Sequence, residues 1–260
     1  MLKNVFVPVL AAALACAAGC FDNRARPADV PTVKGRAALA ATNRAEVVRL
    51  FLRGEKAPLP PETFANLPRL ETLDISACGL SAIPAGVTDL VTLKQLYLAH
   101  NALERLPEDM ARLTSLTYLN LDGNRLAQVP EALARLPELK WLRLNDNQLA
   151  EIPAALGTLK NVRRLYARGN RLTAVPEVVR AWPELEDLLL DRNPITEVPD
   201  WLTTLPRLKS LSLAGTRVSR LPADLSRWQK LDSLVLGSCP IDANEMRRIR
   251  AALPSVAIVF

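Results

Sequence analysis

The side chains that could make or break a bond are few and far apart. The chain has 260 residues, with a single histidine, His100, and four cysteines. A histidine acting as a base needs a nucleophile and an orienting acid beside it, and no G-x-S-x-G elbow presents a serine. Neither H-E-x-x-H nor G-x-x-x-x-G-K-S/T occurs. The acidic residues are scattered over positions where a soluble protein shows charge. His100 therefore reads as a surface or binding residue. The chain reads as a non-enzyme, with no metal and no cofactor implied.

Recognition is the chemistry that the residue types favour. All three tyrosines, Tyr97, Tyr118 and Tyr166, stand in the middle of the chain near Trp141, Arg143, Arg164 and Arg168. Tyr, Trp and Arg are the types that dominate binding hot spots. Asp122 and Asn145 complete the candidate partner-binding set. Aromatic residues also favour strands for their own sake, which accounts for strand placement but not for clustering beside arginine. Stacking and arginine forks would suit a protein partner of acidic or extended character. Aromatic platforms also bind sugars, so a glycan or peptidoglycan ligand is the alternative. The net charge of +6 comes from signs mixed along the chain. Such a mixture serves solubility, and no basic run marks a nucleic-acid face.

These residues are positioned by a repeat. Leu50, Leu73, Leu96, Leu119, Leu142, Leu165, Leu188, Leu211 and Leu234 follow one another at 23 residues. The pattern LxxLxLxxN surrounds them, as in Leu116 to Asn124, and Pro84, Pro107, Pro130, Pro153, Pro176, Pro199 and Pro222 keep the same period. Alternate leucines point to one side of a short strand, and each strand stacks in parallel on the same strand of the next repeat. The asparagine falls where the chain leaves the strand. Its amide can serve donors and acceptors there, so Asn101, Asn124, Asn147, Asn170 and Asn193 form a structural ladder. The residues between the leucines face outward in columns, and the candidate binding residues fall in those columns. Cys78 and Cys239 hold equivalent places seven repeats apart. At about 4.8 Å per strand that is roughly 34 Å, well beyond the ~7 Å a disulfide allows.

The repeat resembles the leucine-rich repeat family in its 23-residue LPxxL form, over residues 47–241. The resemblance implies an α/β solenoid: a horseshoe or arc with a parallel concave β-sheet, convex loops with short helical turns and a helical C-terminal cap. It also implies a protein–protein interaction module, acting as a monomer. The LPxxL form is similar to repeats of Ras-binding scaffolds and their plant relatives, which leaves a cytosolic scaffold for a small GTPase as an alternative.

The ends differ from the repeats. Lys3 followed by an apolar run to Ala18 has the form of a secretory signal, too short to span a bilayer. Ala17-Ala18-Gly19-Cys20 resembles the bacterial lipobox, which implies a mature chain starting at Cys20 with lipid on its sulfur and anchored to a membrane of the cell envelope. Ala17 stands where that family usually has leucine. Ala15-Cys16-Ala17 offers an ordinary cleavage site, with a secreted or periplasmic product. An N-terminal helix of a cytosolic protein is the remaining reading. The expected organisation is a signal peptide over 1–19, a flexible tether over 20–35, an N-terminal cap over 36–48 and a repeat domain of about nine copies over 49–260. Within the last copy, Asp242 to Leu253 reads as a helix and Val256 to Phe260 as a final strand. Leu253-Pro254 arrives about two residues late, so that turn is longer.

Overall fold

The structure is a computed structural model that describes residues 30–56 and 58–260. The expected signal peptide and Cys20 lie outside the described residues. Pro31–Phe260 forms one compact unit.

Eleven strands of three residues build a single open sheet, ordered as in the chain. They are β1 (Thr32–Lys34), β2 (Arg49–Phe51), β3 (Thr72–Asp74), β4 (Gln95–Tyr97), β5 (Tyr118–Asn120), β6 (Trp141–Arg143), β7 (Arg164–Tyr166), β8 (Asp187–Leu189), β9 (Ser210–Ser212), β10 (Ser233–Val235) and β11 (Ala257–Val259). Every pairing is parallel, and from β2 to β10 the partners are 23 residues apart, as with Leu119 and Leu142. The central leucine of each of these nine strands is fully buried. Three residues suffice for a strand because the leucine faces the core while its two neighbours face out.

The chain returns through short 3-10 turns, such as Glu108–Arg112, Glu131–Arg135, Ala154–Thr158, Glu177–Ala181 and Asp200–Thr204, each preceded by a proline of the 23-residue series. Proline sets φ for entry into the turn and gives no N–H to satisfy. Trp182 and Trp228 fill the inward leucine place of the return segment. Their indole N–H groups donate to the Leu156 and Leu202 carbonyls at 2.9 and 3.2 Å, so the wider side chain is buried without an orphan donor.

Asparagine side chains link consecutive coils. The Asn124 Nδ2 donates to the Leu98 carbonyl of the preceding repeat and to its own Leu121 carbonyl, at 3.1 and 2.9 Å. Its Oδ1 accepts from Leu103 N at 3.1 Å. Asn147, Asn170 and Asn193 repeat the arrangement. At the ends thiols take over one bond of the set. Cys78 Sγ reaches the Leu52 carbonyl at 3.2 Å and Cys239 Sγ the Leu213 carbonyl at 3.1 Å. Both thiols are free, consistent with their places at opposite ends.

The residue before each ladder position has positive φ, and from His100 onward the column alternates between glycine and other residues: Gly54, Ala77, His100, Gly123, Asp146, Gly169, Arg192, Gly215, Ser238. Glycine carries that conformation without strain. It also leaves room for the preceding side chain. A Cβ on Gly123 would sit 2.6 Å from His100 Nδ1, and one on Gly169 would collide with Asp146 Oδ1. Arg192 reaches back across Gly169 to Asp146 at 2.9 Å.

Both ends depart from the sequence expectation. The tether was expected to run to residue 35, yet Thr32–Lys34 is β1, paired with β2. Val33 is buried, and one apolar residue between two polar ones gave too short a signal to read as a strand. Next come helix α1 (Arg36–Ala40) and a 3-10 turn. Arg36 ties this cap to Glu55 through Nε at 2.6 Å. At the other end helix α2 (Ala243–Ala252) begins at Asp242, whose carboxylate accepts from Glu245 N at 2.8 Å. Leu234 pairs with Ile258, so the last turn is one residue longer than the others rather than two. Its latch is Glu245, which accepts from Leu221 N at 2.9 Å and from Arg248 at 2.7 Å. The Arg248 bond holds its carboxyl below the usual carboxylate range.

Asn147→Ala would leave the Leu121 and Leu144 carbonyls and Leu126 N without their side-chain partner inside the coil. Each buried group left unpaired costs about 1–3 kcal/mol, so urea unfolding should show a loss of at least ~2 kcal/mol. Asn101→Ala, at a half-buried position, should cost less.

Candidate functional site

The constant register converts the spacing of the candidate residues into contacts. Tyr118, Trp141, Arg164 and Asp187 are direct neighbours on β5 to β8. Tyr97 lies one column over on β4, beside Tyr118. The rings of Tyr97 and Tyr118 are 4.8 Å apart between centroids, and those of Tyr118 and Trp141 are 5.6 Å apart, both tilted. The Arg164 guanidinium stands 4.1 Å above the Trp141 ring. Its Nε lies 2.8 Å from Asp187 Oδ2, as an ion pair rather than an aligned hydrogen bond, since that Nε makes none. A continuous stack thus crosses five strands, from Tyr97 to Asp187.

A second group interlocks with it. Arg143 lies 5.5 Å over the Tyr166 ring and places Nε and Nη2 at 2.7 and 2.5 Å from Asp122 Oδ2. The two side chains are 13% and 9% exposed, so the pair is largely withdrawn from water. Burial disfavours the Arg143 charge, but Asp122 and Tyr118 restore it and raise its pKa. Burial pushes the Tyr118 hydroxyl up, with Arg143 opposing. Burial also raises the Asp187 carboxyl, against the pull of Arg164.

Two candidates have internal duties. Asp122 Oδ1 accepts from Asn145 N at 2.8 Å, and Asn145 Oδ1 accepts from Arg168 N at 2.9 Å. These side chains carry hydrogen bonding past the ends of the three-residue strands. Arg168 Nε is buried and lacks a hydrogen-bond partner. The structure therefore brings Tyr97, Tyr118, Trp141, Arg143, Arg164 and Tyr166 together, with Asp122 as the counter-ion beneath. Asp187 was missed as a site residue. The signal for it is an acid 23 residues after Arg164, hence its neighbour across the register. His100 sits in the positive-φ column beside Gly123, outside the stack. Among the described residues, no three His, Cys, Asp or Glu side chains group to hold a metal.

Comparison with known proteins agrees with this architecture. A leucine-rich repeat profile matches residues 68–126. The profile for the repeats of leucine-rich repeat and WD repeat-containing protein 1 matches residues 108–219. The chain is a leucine-rich repeat protein. An internalin from Listeria monocytogenes has a similar structure, with a TM-score of 0.71 at 19% identity over 88% of this chain and 71% of the other. Toll, in the Toll–Spatzle complex of Drosophila, gives 0.69 at 24% identity over 83% and 29%. The ectodomain of the receptor kinase GASSHO1/SCHENGEN3 of Arabidopsis thaliana, in complex with Casparian strip integrity factor 2, gives 0.63 at 26% identity over 80% and 29%. The chain spans less than a third of the last two. No curated protein matches it.

The two arginines should differ on substitution. Arg143→Ala leaves Asp122 buried and uncompensated, at a cost of about 3 kcal/mol. Arg164, with its side chain 32% exposed, belongs to a more solvated pair, and Arg164→Ala should cost about 1 kcal/mol. Denaturant unfolding of both variants measures the difference.

Proposed function

We propose that this chain is a non-enzymatic interaction protein, held on the cell envelope as a lipoprotein, that takes a protein partner on β4 to β8. Leucine-rich repeat folds generally mediate protein–protein interaction. The observation that carries the reading is the stack from Tyr97 to Asp187. The core does not need it, because the leucines beneath are already buried. Aromatic and arginine side chains locked against each other form a rigid surface, which loses little conformational entropy on binding. Two of the similar structures were solved in complexes, in keeping with such a role.

The envelope assignment rests on the lipobox-like Ala17-Ala18-Gly19-Cys20. No helix of the described residues is long and apolar enough to cross a membrane, and in this reading the lipid on Cys20 is the anchor.

Two experiments test the two halves. In Gram-negative cells expressing the full chain, the protein should sediment with membranes, and Cys20→Ala should shift it to the soluble fraction; equal distribution of both forms would refute the anchor. Trp141→Ala and Tyr97→Ala, both at half-buried positions, should each weaken capture of the native partner by about tenfold or more while leaving the melting transition nearly unchanged. Undiminished capture by both variants would rule out this face.

A further inference from the structure

We infer that the ligand of this face is an uncharged, extended peptide segment of about six residues, bearing proline or aromatic side chains, and not an acidic one. The inference rests on the reading that β4 to β8 is the partner site. Its basis is how the charges there are used. In β4 to β8 and the positions just after them, the outward columns hold Arg143, Arg164 and Arg168 against Asp122, Asp187 and Asp191, so three positive and three negative charges sum to zero. The chain as a whole carries +6, so its basic excess lies elsewhere.

Four of these six charges are already paired with one another. Arg143 spends two nitrogens on Asp122. Arg164 is matched by Asp187 and covered on one side by Trp141. Asp191 accepts from the Ser212 hydroxyl. Arg168 keeps its Nε buried, and Asp191 stands at the same place one repeat on. An acidic side chain placed on the stack would shed its water beside Arg143 and Arg164, which already have their carboxylates, and this costs free energy without an equal return.

What remains for a ligand is apolar and weakly polar. With the rings of Tyr97, Tyr118 and Trp141 packed on each other, they offer their rims. Ring rims carry positive partial charge and prefer π faces and oxygen acceptors. Backbone carbonyls, proline rings and aromatic faces supply those groups. From β4 to β8 there are four strand intervals, about 19 Å at ~4.8 Å each. An extended segment rises about 3.3 Å per residue, so about six residues cover the stack.

The test is selection from a random-peptide display library on the full chain, followed by affinity measurement on the selected peptides. Uncharged peptides with proline or aromatic residues should dominate. Their Kd should change less than about twofold between about 0.05 and 0.5 M salt, because no exposed ion pair is made. Trp141→Ala and Tyr97→Ala should each weaken them by about tenfold or more. Asp187→Asn leaves Arg164 without its carboxylate, and this variant should acquire salt-sensitive binding of acidic peptides that the parent lacks. Acidic, salt-sensitive peptides that depend on Trp141 in the parent protein would overturn the inference and leave the site reading standing. Peptides indifferent to both aromatic substitutions, or no peptides at all, would overturn both.

Discussion

Where each three-residue strand ends, the chain turns inside the coil, and carbonyls such as those of Leu98 and Leu121 take side-chain donors in place of a strand partner. A buried backbone group without a partner is costly, and this structure meets the need with one side chain per repeat. The amide of Asn124 donates to a carbonyl 26 residues earlier while its oxygen takes an amide from the return segment. The bond joins consecutive coils, and with a constant spacing of 23 each of these asparagines meets the same carbonyl of the coil before it. Towards the two ends the amide gives way to Cys78 and Cys239, whose thiols make the backward bond but serve fewer groups.

Fixed coil length has a consequence for the outward face. Side chains 23 residues apart are held at strand spacing, whatever they are. An aromatic residue at the same place in successive repeats is set beside the next one, and opposite charges at that place are brought within reach of each other. Tyr118, Trp141, Arg164 and Asp187 are one such column, and Arg192 reaching Asp146 across Gly169 shows the same rule over two periods. The glycine is as much a part of that contact as the two charges, since any side chain there would block it.

The same register shapes the proposed recognition surface. Its arginines look available in the linear chain, yet the neighbouring strand supplies a carboxylate to Arg143 and to Arg164. The surface is consequently neutral and stiff, better suited to shape and stacking than to electrostatic steering. The partner-binding role belongs to the proposal; the pairing of the charges is a property of the fold.

By itself the sequence determined the solenoid, its strand positions and the asparagine ladder, because a constant period copies one local solution and nine copies average out local ambiguity. It also placed the tyrosines, Trp141 and the arginines on one face, since alternation in a strand assigns each residue a side. Only the tertiary structure decided what those residues do to one another. Asp187 entered the stack as the neighbour of Arg164, Asp122 turned out to be the buried partner of Arg143, and Asn145 bridges successive coils. β1 likewise emerged only on pairing, because a single buried valine between polar residues becomes a strand when β2 offers it an edge. Distances across the register depend on rotamers and burial, which no linear pattern contains.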